Sequence, residues 1–423
     1  MAMFSLMFVS LEASIPITRC HASSDAPVTM IAGVGAALDF KLEPIDGTGS
    51  LACLKSVTIT SGTTRYIAAE GGIVIRGELN SLSTIVDDGF PNYYYGVGVA
   101  NVSQRSVVVV SGFVDGGGQN VGIALSSNDD GQSWSPPTVV SNGTWLGGPI
   151  AVLRPSDESV TRVLMPSAVA APVFSVPLES DGGFGAWTRT DAGQGWHAGP
   201  IVTDGVDAVT LTGEEICSSS DGGRHFNCSA SADDVFDGGI AVHPSNRSNW
   251  LTGGGMISPD LSGWVHASSD AGHSWTARTL TAPYPIRWVG FACGHSGSAL
   301  AIAAGGDYRA GVGGIWSSND NGTTWTLEVD TGAEMASCAA GKGFLTCVGA
   351  SSHAKSIVAT AQCPAPTSDK GRTVPIPLAF DPTPPSVSVL ATAAAAAMPS
   401  SRAMSWWYDP STTSPRTGTV GAT

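Results

Sequence analysis

Apolar residues along this chain come in short runs, and turn-forming residues separate them at regular intervals. The pattern is plainest between residues 239 and 279. Gly239-Ile-Ala-Val-His-Pro244 reads as a first strand, Asn249-Trp-Leu-Thr-Gly253 as a second, Gly263-Trp-Val-His-Ala267 as a third and Ser274-Trp-Thr-Ala-Arg-Thr279 as a fourth. Gly, Pro, Asn and Asp bound these runs, as they bound strands that end in tight turns.

The last of these turns belongs to a repeat. The pattern Ser-x-Asp-x-Gly-x-x-Trp/Phe occurs at Ser127–Trp134, Ser219–Phe226, Ser268–Trp275 and Ser318–Trp325. From Asp221 the corresponding aspartates follow at 49, 50 and 49 residues, the last being Asp369, and Asp129 precedes Asp221 by 92, twice 46. Degenerate copies stand at Ser180–Gly183, Asp191–Trp196 and Thr367–Gly371. A beat near 50 residues fits a four-stranded propeller blade better than a helical solenoid unit. The chain is therefore expected to be all-β, a single seven-bladed β-propeller of four-stranded antiparallel blades, with six or eight blades as alternatives. Third-to-fourth-strand turns are expected near residue 80, at 129–131, near 181–193, and at 221, 270, 320 and 369. Val28–Phe40 is expected to supply a closing strand to the last blade.

The motif explains itself locally. Gly131, Gly223, Gly272 and Gly322 supply the positive φ that a short hairpin loop demands. Asp129, Asp221, Asp270 and Asp320 can accept backbone N–H bonds inside the turn, as buried turn carboxylates, and the Ser hydroxyl adds another. Trp134, Phe226, Trp275 and Trp325 then start the outgoing strand and bury a large face between blades. Repetition here signals structure, so these aspartates are read as turn residues rather than catalytic ones.

Composition narrows the class. Only 13% of residues are Asp, Glu, Lys or Arg, about half the ~25% usual in soluble proteins, which excludes a coiled coil. A net charge of -15 argues against nucleic-acid binding, because counterion release needs clustered cations. Eight cysteines occur without a Cys-x-x-Cys, so no metal or cofactor is assigned. Cys217 and Cys228 lie symmetrically about Asp221-Gly222-Gly223, and Cys338 and Cys347 about Gly341-Lys342-Gly343. If each turn joins antiparallel strands, each pair faces across the ladder at bridging distance. Asn-x-Ser/Thr triplets begin at Asn101, Asn142, Asn227, Asn246 and Asn321. With the apolar N-terminus, residues 1–24, they point to a signal peptide and a secreted or lumenal glycoprotein, an organelle lumen being the alternative. No run is long enough to span a membrane as a helix. Residues 28–380 make up the propeller, and the Pro/Ser/Thr/Ala-rich 381–423 reads as a disordered tail.

The four motifs resemble the BNR or Asp-box repeats of sialidases, sortilin-type ectodomains and xyloglucan-active glycosidases. Ile240-Ala-Val-His-Pro-Ser-Asn246 followed by Trp250-Leu-Thr-Gly-Gly254 is similar to a recurrent phrase of the sortilin and xyloglucanase branch. The resemblance implies repeat turns at the rim, away from the ligand face, and predicts fold far more strongly than function. Sialidases share a Phe/Tyr-Arg-Ile/Leu-Pro tetrad, an arginine triad and a Tyr–Glu nucleophile pair. The tetrad has no counterpart here, and Arg76, Arg154 and Arg287 are merely available for a triad.

Loops leading into each first strand are rich in aromatic and acidic residues, including Phe90–Tyr95, Trp145–Gly148, Asp204–Asp207, Asp234–Gly239, Pro285–Trp288 and Gly332–Glu334. Tyr94, Trp145, Asp237, Arg287 and Trp288 are the candidate binding residues. In a hydrolase, Asp207 and Glu334 would be the acid–base pair, which needs carboxyls ~5 to 10 Å apart. The plainer alternative is that Tyr94 and Trp288 fill the core. The expected function is a non-catalytic, monomeric scaffold that binds a glycan or an extended peptide, and so a glycan or protein partner, at the funnel. A diverged sialidase-like exo-glycosidase is the alternative, and a lumenal assembly factor resembling the photosystem-assembly propellers is a third class.

Overall fold

The middle strands of several sheets do not alternate. Val107, Val108, Val109 and Val110 are all buried, and so are Ala301 to Ala304 and Val163 to Met165. Continuous apolar runs of this kind require a sheet covered on both faces, as parallel sheets are when helices cover them. Here the covers are neighbouring sheets. Fourth strands lie at the rim and carry polar, mostly exposed residues, as in Ser81–Asp87 and Thr188–Asp191.

In the computed structural model the described residues are 31–32, 38–45, 53–60, 63–78, 81–88, 92–102, 105–115, 120–154, 160–167, 172–192, 201–203, 208–211, 215–230, 237–256, 261–295, 298–341, 343–351 and 356–363. All belong to one unit of the chain, residues 1–368. The expected signal segment 1–24 and tail 381–423 lie outside the described residues.

Seven antiparallel sheets follow one another along the chain. Blade 1 is Leu54–Ile59, Arg65–Ala69, Ile73–Glu78 and Ser81–Asp87. Blade 2 is Asn92–Val102, Arg105–Asp115, Asn120–Ser127 and Thr138–Asn142. Blade 3 is Ala151–Leu153, Arg162–Pro166, Pro172–Pro177 and Thr188–Asp191, and blade 4 is Ile201–Thr203, Ala208–Leu211, Glu215–Ser219 and Asn227–Ala230. Blade 5 is Asp237–His243, Asn246–Met256, Ser262–Ser268 and Thr276–Ala282, within two or three residues of the expected strands. Blade 6 is Ile286–His295, Ser298–Asp307, Val312–Ser318 and Thr326–Asp330. Blade 7 takes three strands from the end of the ring, Glu334–Gly341, Phe344–Ala350 and Ser356–Gln362, and its fourth from the start, Phe40–Pro44. First strands of successive blades touch all round the ring and line its centre.

Ring closure corrects two expectations. The closing strand is Phe40–Pro44, paired from Phe40↔Ala361 to Pro44↔Ile357, and not Val28–Phe40. Ile31–Ala32 instead adds a fifth strand to blade 6, beside Asp330 and Val329. Because the fourth strand of blade 7 comes from the other end of the chain, no third-to-fourth turn is needed after Gln362, and Asp369 lies outside the described residues. In blade 3 the turn falls at Ser180–Gly183, at the near end of the expected 181–193 stretch, since Asp191 pairs with Pro172 at the end of the fourth strand.

Hydrophobic clusters bridge every adjacent pair of blades. Tyr66 and Val74 of blade 1 meet Val108 and Ile123 of blade 2, and Val348 and Val358 of blade 7 meet Ile67 and Ile73 of blade 1. Arg65, wholly buried, reinforces that last seam. Its Nη1 donates to Thr360 Oγ1 at 3.0 Å and its Nη2 to the Glu78 carbonyl at 2.6 Å. Glu328, 1% exposed, holds the closing segment, for its Oε2 accepts the Leu38 amide at 2.8 Å and its Oε1 the Ser317 hydroxyl.

Both expected disulfides are present, Cys217–Cys228 and Cys338–Cys347, each between residues directly opposite in the ladder. A third, Cys293–Cys363, joins blade 6 to the end of blade 7. Cys53 is also disulfide-bonded. Among the described residues no helix is long and apolar enough to cross a membrane.

Candidate functional site

Antiparallel order gives the ring two ends. First-to-second and third-to-fourth turns leave from one, the motif end. Second-to-third turns and the links between blades leave from the other, the funnel end.

At the motif end the four repeats share one geometry in blades 2, 4, 5 and 6. The Ser hydroxyl donates to the aspartate and accepts the Gly amide: Ser318 Oγ lies 2.7 Å from Asp320 Oδ1 and 2.9 Å from Gly322 N. Two successive residues hold positive φ, such as Asn321 (59°) and Gly322 (85°), as the mirror-image hairpin turns demand. The residue before the aromatic, an unassigned position in the sequence pattern, is part of the device. Ser133, Ser274 and Thr324 donate both amide and hydroxyl to the carboxylate, and His225 brings its amide and Nδ1. Bonds from Ser133 and Ser127 hold the Asp129 carboxyl down at about 2, and Ser274 and Ser268 do the same for Asp270. For Asp221 and Asp320 partial burial pushes the other way, but bonds from His225 and Thr324 and from the motif serines outweigh it, again to about 2. The expected burial is reversed. The carboxylates are half-exposed, whereas Ser127, Ser219, Ser268 and Ser318 are buried. Trp134, Phe226 and Trp325 pack on the blade before their own. In the blade 2 motif, Asp130 also takes Tyr66 and Arg76 of blade 1, so Arg76 is committed to a seam.

At the funnel end the starts of several first strands bring charge together. Lys55, second residue of blade 1, lies 3.0 Å from Glu70 Oε1, in the turn between that blade's second and third strands. Tyr95 of blade 2 donates its hydroxyl to the same oxygen at 3.0 Å, and the Lys55 ammonium sits 5.3 Å over its ring. Across the mouth, Arg287 Nε of blade 6 is 3.0 Å from Glu334 Oε1 at the start of blade 7. Glu334 Oε2 accepts the Tyr308 amide at 2.9 Å. Burial works against the Lys55 charge, yet Tyr95, Glu70 and Glu334 outweigh it and hold the ammonium well above the ordinary lysine range. Burial pushes the Tyr95 and Tyr308 phenols up, and the Glu70 charge adds to both. An aromatic wall continues from Tyr95: its ring is 5.7 Å from Phe113, which stacks on Tyr93 at 4.8 Å and meets Trp145 edge-on at 5.2 Å.

The sequence candidates fall unevenly around this mouth. Glu334 and Arg287 are brought into contact, and half-buried Trp145 closes the aromatic wall. Asp237 opens the first strand of blade 5 at the same end. Trp288, also half-buried, packs on the core between blades 6 and 7, over Gly290, where an added Cβ would fall 2.0 Å from its ring. Tyr94 belongs to the core: it is fully buried, with its hydroxyl on Asp88. Asp207 lies outside the described residues.

Sequence reasoning passed over Lys55, Glu70 and Tyr308. Aligning blades by their first strands would have found Lys55, because Lys55, Arg287 and Glu334 all stand at the first or second position. One further grouping of ligating atoms, Glu215 with Cys217 and Cys228, is closed by the bond between its cysteines.

Comparison with known proteins bears on the fold. No family model and no curated protein matches the chain by sequence. Among solved structures it is similar to U3-55K, with a TM-score of 0.53 and 11% identity over 76% of this chain and 98% of that one. The RRP9 WD40 repeats give a TM-score of 0.53 and 11% identity, over 79% of this chain and 100% of that one. A catalytically inactive virginiamycin B lyase from Staphylococcus aureus with quinupristin gives 0.51 and 10%, over 76% and 99%. Sheet order and these likenesses together define a seven-bladed β-propeller.

Proposed function

We propose that this protein is a non-catalytic recognition scaffold that binds an extended peptide carrying both signs of charge at the funnel end. The observation that carries this reading is the meeting of Lys55, Glu70, Tyr95, Arg287, Tyr308 and Glu334 at one mouth, with its cations and carboxylates already paired. Paired charges of both signs suit a partner that can exchange into them with its own acidic and basic groups. Binding a glycan instead calls for open aromatic faces. Tyr95 has Lys55 over its ring and Phe113 beside it, and Phe113 and Tyr93 are buried.

One observation favours the glycosidase alternative, the 3.0 Å bond between Tyr95 and Glu70, which is the atom pair of a tyrosine nucleophile and its base. Two features weigh against it. Burial raises the Tyr95 phenol, with Glu70 adding to the rise, and Arg287 is held by Glu334 rather than free for a substrate carboxylate. The repeat turns support a place among the Asp-box propellers, and the disulfides support an oxidising compartment.

The test is a binding assay on short peptides containing both Asp/Glu and Lys/Arg, against the same peptides with Asn/Gln and neutral replacements. Lys55→Met and Glu334→Gln are each expected to weaken binding roughly tenfold to a hundredfold, on the order of 1.5–3 kcal/mol for a charged hydrogen bond. Equal binding of the neutral peptides would overturn the reading. So would turnover of fluorogenic sialosides or β-glucosides that Tyr95→Phe abolishes.

A further inference from the structure

The five Asn-x-Ser/Thr triplets are not spread evenly over the ring. Asn101 stands next to last in the first strand of blade 2, and Asn246 opens the second strand of blade 5. Asn227 opens the fourth strand of blade 4, and Asn321 sits in the third-to-fourth turn of blade 6. All four positions leave from the motif end. Asn142, last in the fourth strand of blade 2, is at the funnel end.

Each of the five asparagines is exposed. Their side-chain bonds, where present, use the oxygen: Asn101 Oδ1 accepts from the Ser106 hydroxyl at 3.5 Å, and Asn246 Oδ1 from the Ser248 amide at 3.2 Å. Among the described residues none of the five donates a hydrogen bond from Nδ2, the atom to which a glycan attaches. Asn128, which is in no such triplet, does donate its Nδ2, to the Asp181 carbonyl at 2.5 Å. The disulfides belong to the same oxidising compartments in which asparagine is glycosylated.

We infer that the chain is N-glycosylated at Asn101, Asn227, Asn246 and Asn321, so that sugar coats the motif end and leaves the funnel end open to a ligand. The coat covers exposed turns around the rim and turns partners towards the opposite face. Glycosylation at these positions is independent of which ligand the funnel takes.

The experiment is to secrete the full chain from a eukaryotic host, release N-glycans enzymatically in heavy-oxygen water and read each asparagine by peptide mass spectrometry. Heavy-oxygen aspartate is expected at all four motif-end positions. Asn101→Gln, Asn227→Gln, Asn246→Gln and Thr323→Ala are each expected to remove one glycan's shift from the secreted band. Thr323→Ala replaces a change at Asn321 because that residue holds φ at 59°, which Gln tolerates less well. A chain that is not secreted, that is secreted with these four asparagines unmodified, or that is modified at Asn142 alone would overturn the inference.

Discussion

A single serine hydroxyl organises each repeat turn. Ser318 is buried, donates to Asp320 and accepts the Gly322 amide, so removing it strands a buried N–H. Ser318→Ala is expected to cost about 1–3 kcal/mol in urea unfolding, and Ser318→Thr less. Gly322→Ala is expected to cost at least as much, because its Cβ would lie 2.5 Å from Leu251 Cδ2 and its φ is 85°, a region costing roughly 1–2 kcal/mol for L-residues. The depressed aspartates add a pH dependence. A carboxyl lowered by folding stabilises above its unfolded value, about 3.9, and that stabilisation goes as pH falls through the folded value, near 2 for all four. The urea midpoint is therefore expected to be flat above about pH 5 and to drop between roughly 4 and 2; a midpoint that stays flat down to pH 2 would contradict this. Positions one, three, five and eight of the motif were legible because Ser, Asp, Gly and the aromatic recur unchanged. The seventh escaped notice because Ser133, His225, Ser274 and Thr324 share a function, donation to the second carboxylate oxygen, but are of three residue types.

Strands within a blade were legible because their partners are neighbours in sequence. The same holds for Cys217–Cys228 and Cys338–Cys347, which straddle one turn each. The closing strand and Cys293–Cys363 join residues far apart in the chain, and no local pattern marks such a pairing. Within the N-terminal stretch, Phe40, Leu42 and Pro44 offered little to choose from over Val28–Phe40, and register was decided by packing. Phe40 enters the core between blades 6 and 7 while Glu328 captures the Leu38 amide. Glu328→Leu is accordingly expected to destabilise the ring by about 2–4 kcal/mol, from two unsatisfied donors at ~1–2 kcal/mol each. Amide exchange at residues 40–43 is expected to quicken more than in blades 2 to 5. Uniform quickening over all blades would show that the closing strand is not held separately.

At the scale of the ring, blade number followed from the spacing of the aspartates, since each step returns the chain to the same corner of the next sheet. The funnel was legible only in part. Arg287 and Glu334 were found from their place before a first strand, but Glu70 and Tyr308 lie in second-to-third turns that carry no repeat signature. Their meeting is a product of closure, which sets blades 1 and 2 beside blades 6 and 7. The most direct test of peptide recognition at this mouth is residue-resolved amide exchange on the full chain, with and without a mixed-charge peptide selected for binding. The account predicts slowed exchange at Leu54–Lys55, Glu70–Gly72, Tyr93–Tyr95, Arg287–Trp288, Tyr308 and Glu334, with the repeat turns unchanged. Slowed exchange at the turns around Asp129, Asp221, Asp270 and Asp320 instead, or no mixed-charge peptide that alters exchange at all, would contradict it.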